Sequence, residues 1–460
     1  MSLQFIIGSS GIGKTHYACE QIIRESMENP QHLYYIIVPE QFTMQTQKNV
    51  VEMHPGKGIL NIDVLSFQRL AYRIFEETGG AREVLLDDTG KSMVLQKLVQ
   101  QHRKNLPYLG SQMNKPGYLD EVKSLISEFM QYDIREEELQ DMLGKTGEDS
   151  LLHMKMQDVG VLYQAFLQYL EGHYMTGEGV MDALKKAIPF SDKLKKSVLL
   201  LDGFTGFTPV QMNVIRELLN VCDKVLVTVT MDAGENPLQM GKPHQLFYMS
   251  RKMIHTLSGL TSNLDDPILL KDERKGRFGN STSLDFLEKH LFRYKRSAYE
   301  KKQEEICIFA AESPVKELEE TARRIRRLVR EKNLKYGEIA VITGNLEAYK
   351  SIASQVFEES RIPYFLDEKH TILMNPFIEY IRAALEMVTK GFSYESVFRY
   401  LRCDMSGLAR DQVDMLENYV LALGIHGYKK WSEKWVRVYR TMDPEDIQVL
   451  NEYREISVSY

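Results

Sequence analysis

Nowhere does the chain hold the run of roughly 18 apolar residues that a membrane-spanning helix needs. Its N-terminus, Met1-Ser2-Leu3-Gln4-Phe5-Ile6-Ile7-Gly8, lacks the basic start, long apolar stretch and cleavage site of a signal peptide. Cysteine is scarce: Cys19, Cys222, Cys307 and Cys403 stand far apart, with no CxxC pair and no metal-ligand spacing. Four reduced thiols are expected, not a disulfide framework or a metal site. Basic excess is missing too. The formal net charge is -6, so a nucleic-acid partner must be argued from local motifs. Repeats and low-complexity tracts are absent. What remains is a chain of 460 residues, 43% hydrophobic and 27% charged, the balance of a soluble globular protein, and with no span or signal peptide read from the sequence the expected compartment is the cytoplasm. That length predicts two or three domains.

Short, β-branched, almost wholly apolar segments mark the strands. They are Leu3 to Ile7, Leu33 to Val38, Ile59 to Leu65, Val198 to Asp202, Lys224 to Met231, Ile306 to Ala310, Ile339 to Thr343 and Ile362 to Leu366. Runs apolar on both faces suit a parallel sheet covered by helices. Helical patterns fall between them, as in Thr15 to Met27 and Pro209 to Leu219, which predicts an α/β fold.

From about Asp87 to Lys186 the pattern is helical with no convincing strand. Leu119, Val122, Leu125, Ile126 and Phe129 share one face, as do Val159, Leu162, Tyr163, Phe166 and Leu170. Residues 87–186 therefore read as a helical insertion in an α/β domain made of 1–86 and 187–300. The polar stretch Thr261 to Gly279 reads as a linker. A second α/β unit begins over 301–370, and residues 371–460, after Asn375-Pro376, are helical. The end at Ile456-Ser457-Val458-Ser459-Tyr460 looks cut.

Gly8-Ser9-Ser10-Gly11-Ile12-Gly13-Lys14-Thr15 fits the phosphate-loop pattern GxxxxGK[ST] at every position. Its backbone N–H groups can approach phosphate oxygens closely, Lys14 can reach the β- and γ-phosphates, and Thr15 can offer its hydroxyl to Mg²⁺. The following helix points its positive end at the anion. ATP with Mg²⁺ is the expected ligand. A second Mg²⁺ group is supplied by Asp202, which ends the apolar run Ser197-Val198-Leu199-Leu200-Leu201. The next residue is Gly203, where Asp-Glu ATPases carry the carboxylate that polarises water. Losing such a base costs roughly 100-fold to 10,000-fold in rate, or about 3 to 5 kcal/mol of barrier. The site should hold Mg-ATP and turn it over poorly, with no catalytic residue of its own.

Roughly 190 residues separate Lys14 from Asp202, farther than in small-molecule kinases. The spacing resembles a superfamily 1 helicase core, two RecA-like P-loop domains each with a helical insertion. On that pattern, 1–86 plus 187–300 is the first RecA-like domain and 87–186 is its 1B-like insertion. Residues 301–370 begin the second RecA-like domain, and 371–460 are a truncated 2B-like insertion. Other segments narrow the match. Val38-Pro39-Glu40-Gln41-Phe42-Thr43-Met44-Gln45 follows the second strand, and Asp63-Val64-Leu65-Ser66-Phe67-Gln68-Arg69-Leu70-Ala71 spans the third. With Leu201-Asp202-Gly203-Phe204-Thr205-Gly206-Phe207-Thr208-Pro209-Val210-Gln211, Ile362 to Asp367 and Leu416 to Gly424, they resemble the AddB family over essentially the whole chain.

The resemblance implies a subunit of a bacterial helicase–nuclease that pairs with the AddA motor. The complex processes double-stranded DNA ends for recombinational repair, and the helicase-like half of AddB scans single-stranded DNA for Chi. A nuclease domain with a 4Fe–4S cluster lies in a C-terminal half absent here, and no cysteine of this chain matches its ligands. The resemblance also assigns Chi reading to Gln41, Thr43, Phe67, Arg69 and Tyr72, with Phe204 and Phe207 as further DNA contacts. Their chemistry suits it: Arg69 can pair with phosphate or a base edge, and Phe67 and Tyr72 can stack. By periodicity alone, Phe67 and Tyr72 read as helix core. The basic run Arg323-Arg324-Ile325-Arg326-Arg327-Leu328-Val329-Arg330, flanked by Glu317, Glu319, Glu320 and Glu331, reads as a solvated helix face. Two other functions remain open from the residues: an active P-loop phosphotransferase or kinase on a small molecule, and a scaffold that only holds AddA.

Overall fold

The computed structural model describes residues 2–80, 83–113, 115, 117–147, 150–232, 234–271, 276–295, 297–367, 372–439 and 442–458. They divide into two compact units, Met1–Cys307 and Ile308–Tyr460.

The first unit carries the strands β1 (Ser2–Gly8), β2 (Leu33–Ile37), β3 (Ile62–Leu65), β4 (Val84–Leu86), β5 (Tyr174–Thr176), β6 (Ser197–Leu201), β7 (Lys224–Thr230) and β8 (Ile268–Leu269). Six of them form one sheet in the order β3-β2-β6-β7-β1-β8, every pairing parallel. Successive side chains point to opposite faces. Phe5, Ile7, Ile37, Leu199 and Leu201 pack on one side with Leu70, Val214 and Leu218. Ile6, Ile36, Val64 and Leu200 pack on the other with Ile22 and Val50. Burial on both faces explains why these strands read as unbroken apolar runs.

Helices α1 (Lys14–Glu28), α2 (Thr43–Met53) and α3 (Phe67–Thr78) link the first strands. A helical group follows: α4 (Asp88–His102), α5 (Leu109–Gln112), α6 (Tyr118–Gln131), α7 (Glu136–Gly144) and α8 (Leu151–Leu170). Its core is separate, built on Leu95, Val122, Ile126, Phe129, Leu162 and Phe166. The buried Asp158 carboxylate accepts from Tyr108 N–H at 2.9 Å and Leu109 N–H at 2.7 Å, satisfying the start of α5. The unit is completed by α9 (Gly179–Ala187), α10 (Pro209–Val221), α11 (Tyr248–Ser258) and α12 (Thr282–His290).

Two expectations for this unit need correction. Residues 87–186 are not strand-free: β5 lies within them and pairs in parallel with β4, from Val84↔Tyr174 to Leu86↔Thr176. Three residues are too few to show an alternation. The stretch Thr261 to Gly279 is not a plain linker. Its Ile268 and Leu269 add β8 to the sheet beside Ile6 and Ile7, while Asp272 to Lys275 lie outside the described residues.

In the second unit α13 (Pro314–Lys332) and α14 (Leu346–Glu359) enclose Leu318, Ile325, Val356, Phe357 and Ile362. The basic run on α13 pairs along a solvated face as expected: Arg324 Nε lies 3.0 Å, and Arg323 3.3 Å, from Glu320. A second cluster joins α15 (Pro376–Thr389), α16 (Tyr394–Leu401), α17 (Arg410–Leu423), α18 (Tyr428–Ser432) and α19 (Pro444–Val458) around Phe398, Leu416, Trp431 and Leu450. The strands expected at Ile306 to Ala310, Ile339 to Thr343 and Ile362 to Leu366 do not form among the described residues. Ile308, Ile342 and Phe365 are 93%, 92% and 87% exposed. An apolar β-branched pattern favours an extended chain, but a strand persists only where a neighbour takes its hydrogen bonds.

Candidate nucleotide site and adjoining aromatic edge

In the sheet order, β7 lies between β6 and β1. The loop after β1 and Asp202 after β6 therefore emerge on the same C-terminal edge, where ligands of such sheets bind. Gly11 takes φ +77, and a Cβ there would stand 2.9 Å from the Phe278 ring, so both conformation and space demand glycine. Lys14 Nζ donates to Ser9 O at 2.9 Å, which lays the ammonium along the loop. Thr15 Oγ1 lies 3.0 Å from each Asp202 carboxylate oxygen.

Asp202 is buried and firmly held. Its N–H donates to Ile37 O at 3.0 Å, and Thr228 Oγ1 donates to its Oδ1 at 2.6 Å. The Gly203 N–H faces the same threonine hydroxyl at 3.4 Å. Gly203 has φ +79, so a side chain at this position would be strained.

A cavity of about 550 Å³ opens in front of Gly13, Lys14 and Thr15, with Thr46 and Arg277 on its walls. A larger one, about 820 Å³, lies among Phe75, Met175 and Phe190 but brings no phosphate-binding loop to its walls. Burial lowers the pKa of the Lys14 ammonium below its usual 10.5. The charges of Asp202 and Glu288 oppose this, and Arg277 adds to it. Burial, with the Asp202 charge, pushes the Cys19 thiol up to about 12, so it stays protonated.

The donor set fits Mg-ATP. Mg²⁺ in such sites takes one or two carboxylates and completes its shell with phosphate oxygens and water. Asp202 and the Thr15 hydroxyl stand side by side as that rule requires, and no cluster of three or more His, Cys, Asp or Glu is found among the described residues. Cys19, Cys222 and Cys403 are buried as free thiols and Cys307 is exposed.

Three neighbours of the loop were not among the residues expected from sequence. Thr228 orients Asp202. Arg277 N–H donates to Gly11 O at 2.8 Å. Glu288 accepts from Ser10 N–H at 3.3 Å. None belongs to a contiguous motif, and only strand register and chain return bring them here.

The segments after β2 and β3 meet on the same edge. Arg69 Nε donates to Glu40 Oε1 at 3.1 Å, with both side chains exposed. Gln41 is exposed, whereas Thr43 is buried and donates to Glu40 O at 3.0 Å. Phe67, 5% exposed, packs under Phe204 and Phe207 with ring centroids 5.6 and 6.3 Å away, so it has no open face for a base. Phe204 and Phe207 are half-buried and 4.9 Å apart. Tyr72 is 40% exposed, its ring 6.3 Å from Phe75 and perpendicular to it, and Phe42, which was not among the expected contacts, is 48% exposed.

A family model described as ADDB, N-terminal, matches residues 5–288. The chain belongs to the AddB family. A UvrD-like helicase C-terminal domain model also matches residues 279–446 of this AddB-family chain. The α/β, helicase-like core expected from sequence is thus the architecture found. Three proteins, each named as the B subunit of an ATP-dependent helicase/deoxyribonuclease, are similar to it. That of Lachnoclostridium phytofermentans is 42% identical over 99% of the chain and 40% of the relative. Those of Clostridium novyi and Caldanaerobacter subterraneus are each 34% identical, over 95% and 99% of the chain and 38% and 40% of the relatives. The chain therefore spans about two-fifths of the length of these AddB-family relatives.

Proposed function

We propose that this chain is the nucleotide-binding, helicase-like part of one subunit in a heterodimeric helicase–nuclease. Residues 1–86 with 187–300 act as the first RecA-like domain, and 87–186 as its 1B-like insertion. Residues 301–370 open the second, followed by a 2B-like part. The observation that carries the reading is the meeting of Thr15 and Asp202 at 3.0 Å beside the Lys14 ammonium, which supports a Mg-ATP site. Gly8 to Thr15 cradle the phosphates, and Thr15 and Asp202 orient Mg²⁺. Gly203 offers only a backbone N–H where turnover needs a carboxylate, so the nucleotide is held rather than rapidly spent.

The names of the similar proteins, ATP-dependent helicase/deoxyribonuclease subunits, support an enzyme complex that cuts and unwinds DNA with ATP. We extend this to double-strand-break processing in the cytoplasm with AddA as the motor partner, the 4Fe–4S nuclease part lying elsewhere in the whole protein. Chi scanning falls to the edge carrying Gln41, Arg69 and Tyr72. Thr43, Phe67, Phe204 and Phe207 support that edge from beneath. The decisive experiment measures nucleotide binding and turnover by the purified chain and its Lys14→Ala variant. Binding lost in the variant, with slow turnover in the parent, is expected. Robust turnover abolished by Lys14→Ala would overturn the slow site, and stimulation by a small-molecule acceptor without DNA would favour a phosphotransferase.

A further inference from the structure

One N–H of the phosphate loop is taken by a distant carboxylate. Ser10 N–H donates to Glu288 Oε1 at 3.3 Å, across 278 positions of sequence. The chain leading into α12 is held on the loop twice more, by Arg277 N–H on Gly11 O at 2.8 Å and by the Phe278 ring against Gly11. A small cavity of about 220 Å³ lies between them, lined by Ser9, Ser10, Phe278 and Glu288. Arg277 and Phe278 thus hold the chain entering α12 on the loop, and the Glu288 side chain reaches Ser10 from that helix.

Its position along the loop gives the contact a meaning. The Lys14 ammonium rests on Ser9 O at 2.9 Å. In loops of this pattern the lysine reaches the β- and γ-phosphates, while the backbone amides cradle the α- and β-phosphates. Ser9 and Ser10 are therefore the limb nearest the terminal phosphate. A carboxylate at Ser10 occupies a donor and adds negative charge where the γ-phosphate brings its own. The Glu288 charge is also felt by Lys14, where it favours the ammonium against burial.

We propose that Glu288 is a specificity-determining residue that makes the site discriminate between nucleoside diphosphate and nucleoside triphosphate. A diphosphate ends short of the Ser10 limb and leaves the Glu288 contact in place. A triphosphate has to displace the carboxylate, and α12 moves with it, so occupancy by the γ-phosphate is passed to the chain beyond the loop. This inference rests on the reading of Gly8 to Thr15 as a nucleotide loop.

The test is a titration of the purified chain with fluorescently labelled ADP and ATP in Mg²⁺, comparing the parent with Glu288→Gln and Glu288→Ala. Glu288→Gln keeps an acceptor for Ser10 and removes the charge. It is expected to raise ATP affinity relative to ADP about tenfold, equal to about 1.4 kcal/mol, with ADP affinity held within about twofold. Glu288→Ala should move the ratio the same way, and a melting curve checks that both variants fold. An unchanged ATP-to-ADP ratio in folded variants overturns the role of Glu288 and leaves nucleotide binding standing. Failure of the parent to bind either nucleotide overturns both.

Discussion

Thr15 Oγ1 lies 3.0 Å from both carboxylate oxygens of Asp202, although the two residues are 187 positions apart. The pairing depends on a third residue, because Thr228 Oγ1 fixes Oδ1 of Asp202 at 2.6 Å from the strand between them. Thr228→Val keeps the shape and removes the donor. A hydrogen bond to a charged group contributes about 1.5–3 kcal/mol, so Mg²⁺-dependent nucleotide binding should weaken roughly 10-fold to 100-fold. Titration with and without Mg²⁺ checks this. A loss equal in both conditions would mean that Asp202 does not face the metal.

The Lys14 ammonium lies below its usual 10.5 mainly because it is buried. A lysine with a depressed folded pKa loses its proton first in the folded chain. The unfolded chain then holds more protons in that window, and stability rises with pH through it. Below the window the charged Lys14 costs stability. Lys14→Met should therefore melt above the parent near neutral pH while losing nucleotide binding, and the advantage should shrink as pH approaches 10.5. A variant that melts lower would show that the bond to Ser9 O outweighs burial.

A second buried charge lies away from the nucleotide. Lys91 Nζ is 2.9 Å from both oxygens of Glu178, with side chains only 7% and 11% exposed, tying α4 to the start of α9. Burial pushes the Glu178 carboxyl up, but the hydrogen bond and charge of Lys91, together with hydrogen bonds from its own backbone N–H and from Thr176, outweigh it and hold it below 4.5. A depressed carboxyl stabilises the fold above its unfolded pKa, and that contribution is lost as pH falls through the lower folded value. Lys91→Met, which strands the carboxylate, should cost about 3–5 kcal/mol in denaturant unfolding at neutral pH. Lys91→Met with Glu178→Leu should recover much of this and abolish the acid-sensitive part. If the double variant is no more stable than the single one, the pair is not the source of the loss.

The phosphate loop was legible because its eight residues are contiguous and its fixed positions, Gly8, Gly13, Lys14 and Thr15, are each chosen by backbone or phosphate chemistry. Asp202 was legible because it ends an apolar run. Thr228 was not: it sits in a strand like any other, and only the register Leu201↔Val227 places it beside Asp202. Arg277 and Glu288 were hidden for a related reason, since they reach the loop through a stretch that reads as polar linker. Phe67 was legible in its periodicity with Leu70, Ala71 and Ile74, all buried, and this argues for support rather than stacking. The strands expected near Ile308, Ile342 and Phe365 were read from local pattern, which carries no information about pairing partners.

Arg69 and Glu40 bridge the segments after β2 and β3 at 3.1 Å, but both side chains are more than half exposed. Such a pair contributes at most about 1 kcal/mol to the fold. Arg69→Ala should therefore leave the melting temperature nearly unchanged, which makes it a clean probe of recognition. In the heterodimer proposed above it is expected to weaken sequence-selective binding of single-stranded DNA and reduce the proposed response to Chi. Tyr72→Ala should act in the same direction, because a base stacked on an aromatic ring is held by about 1–3 kcal/mol. Phe67→Leu, changed beneath the surface, should disturb stability more than DNA contact. A Chi response unaltered by both Arg69→Ala and Tyr72→Ala would remove this edge as the reader and leave it as packing around Phe204 and Phe207.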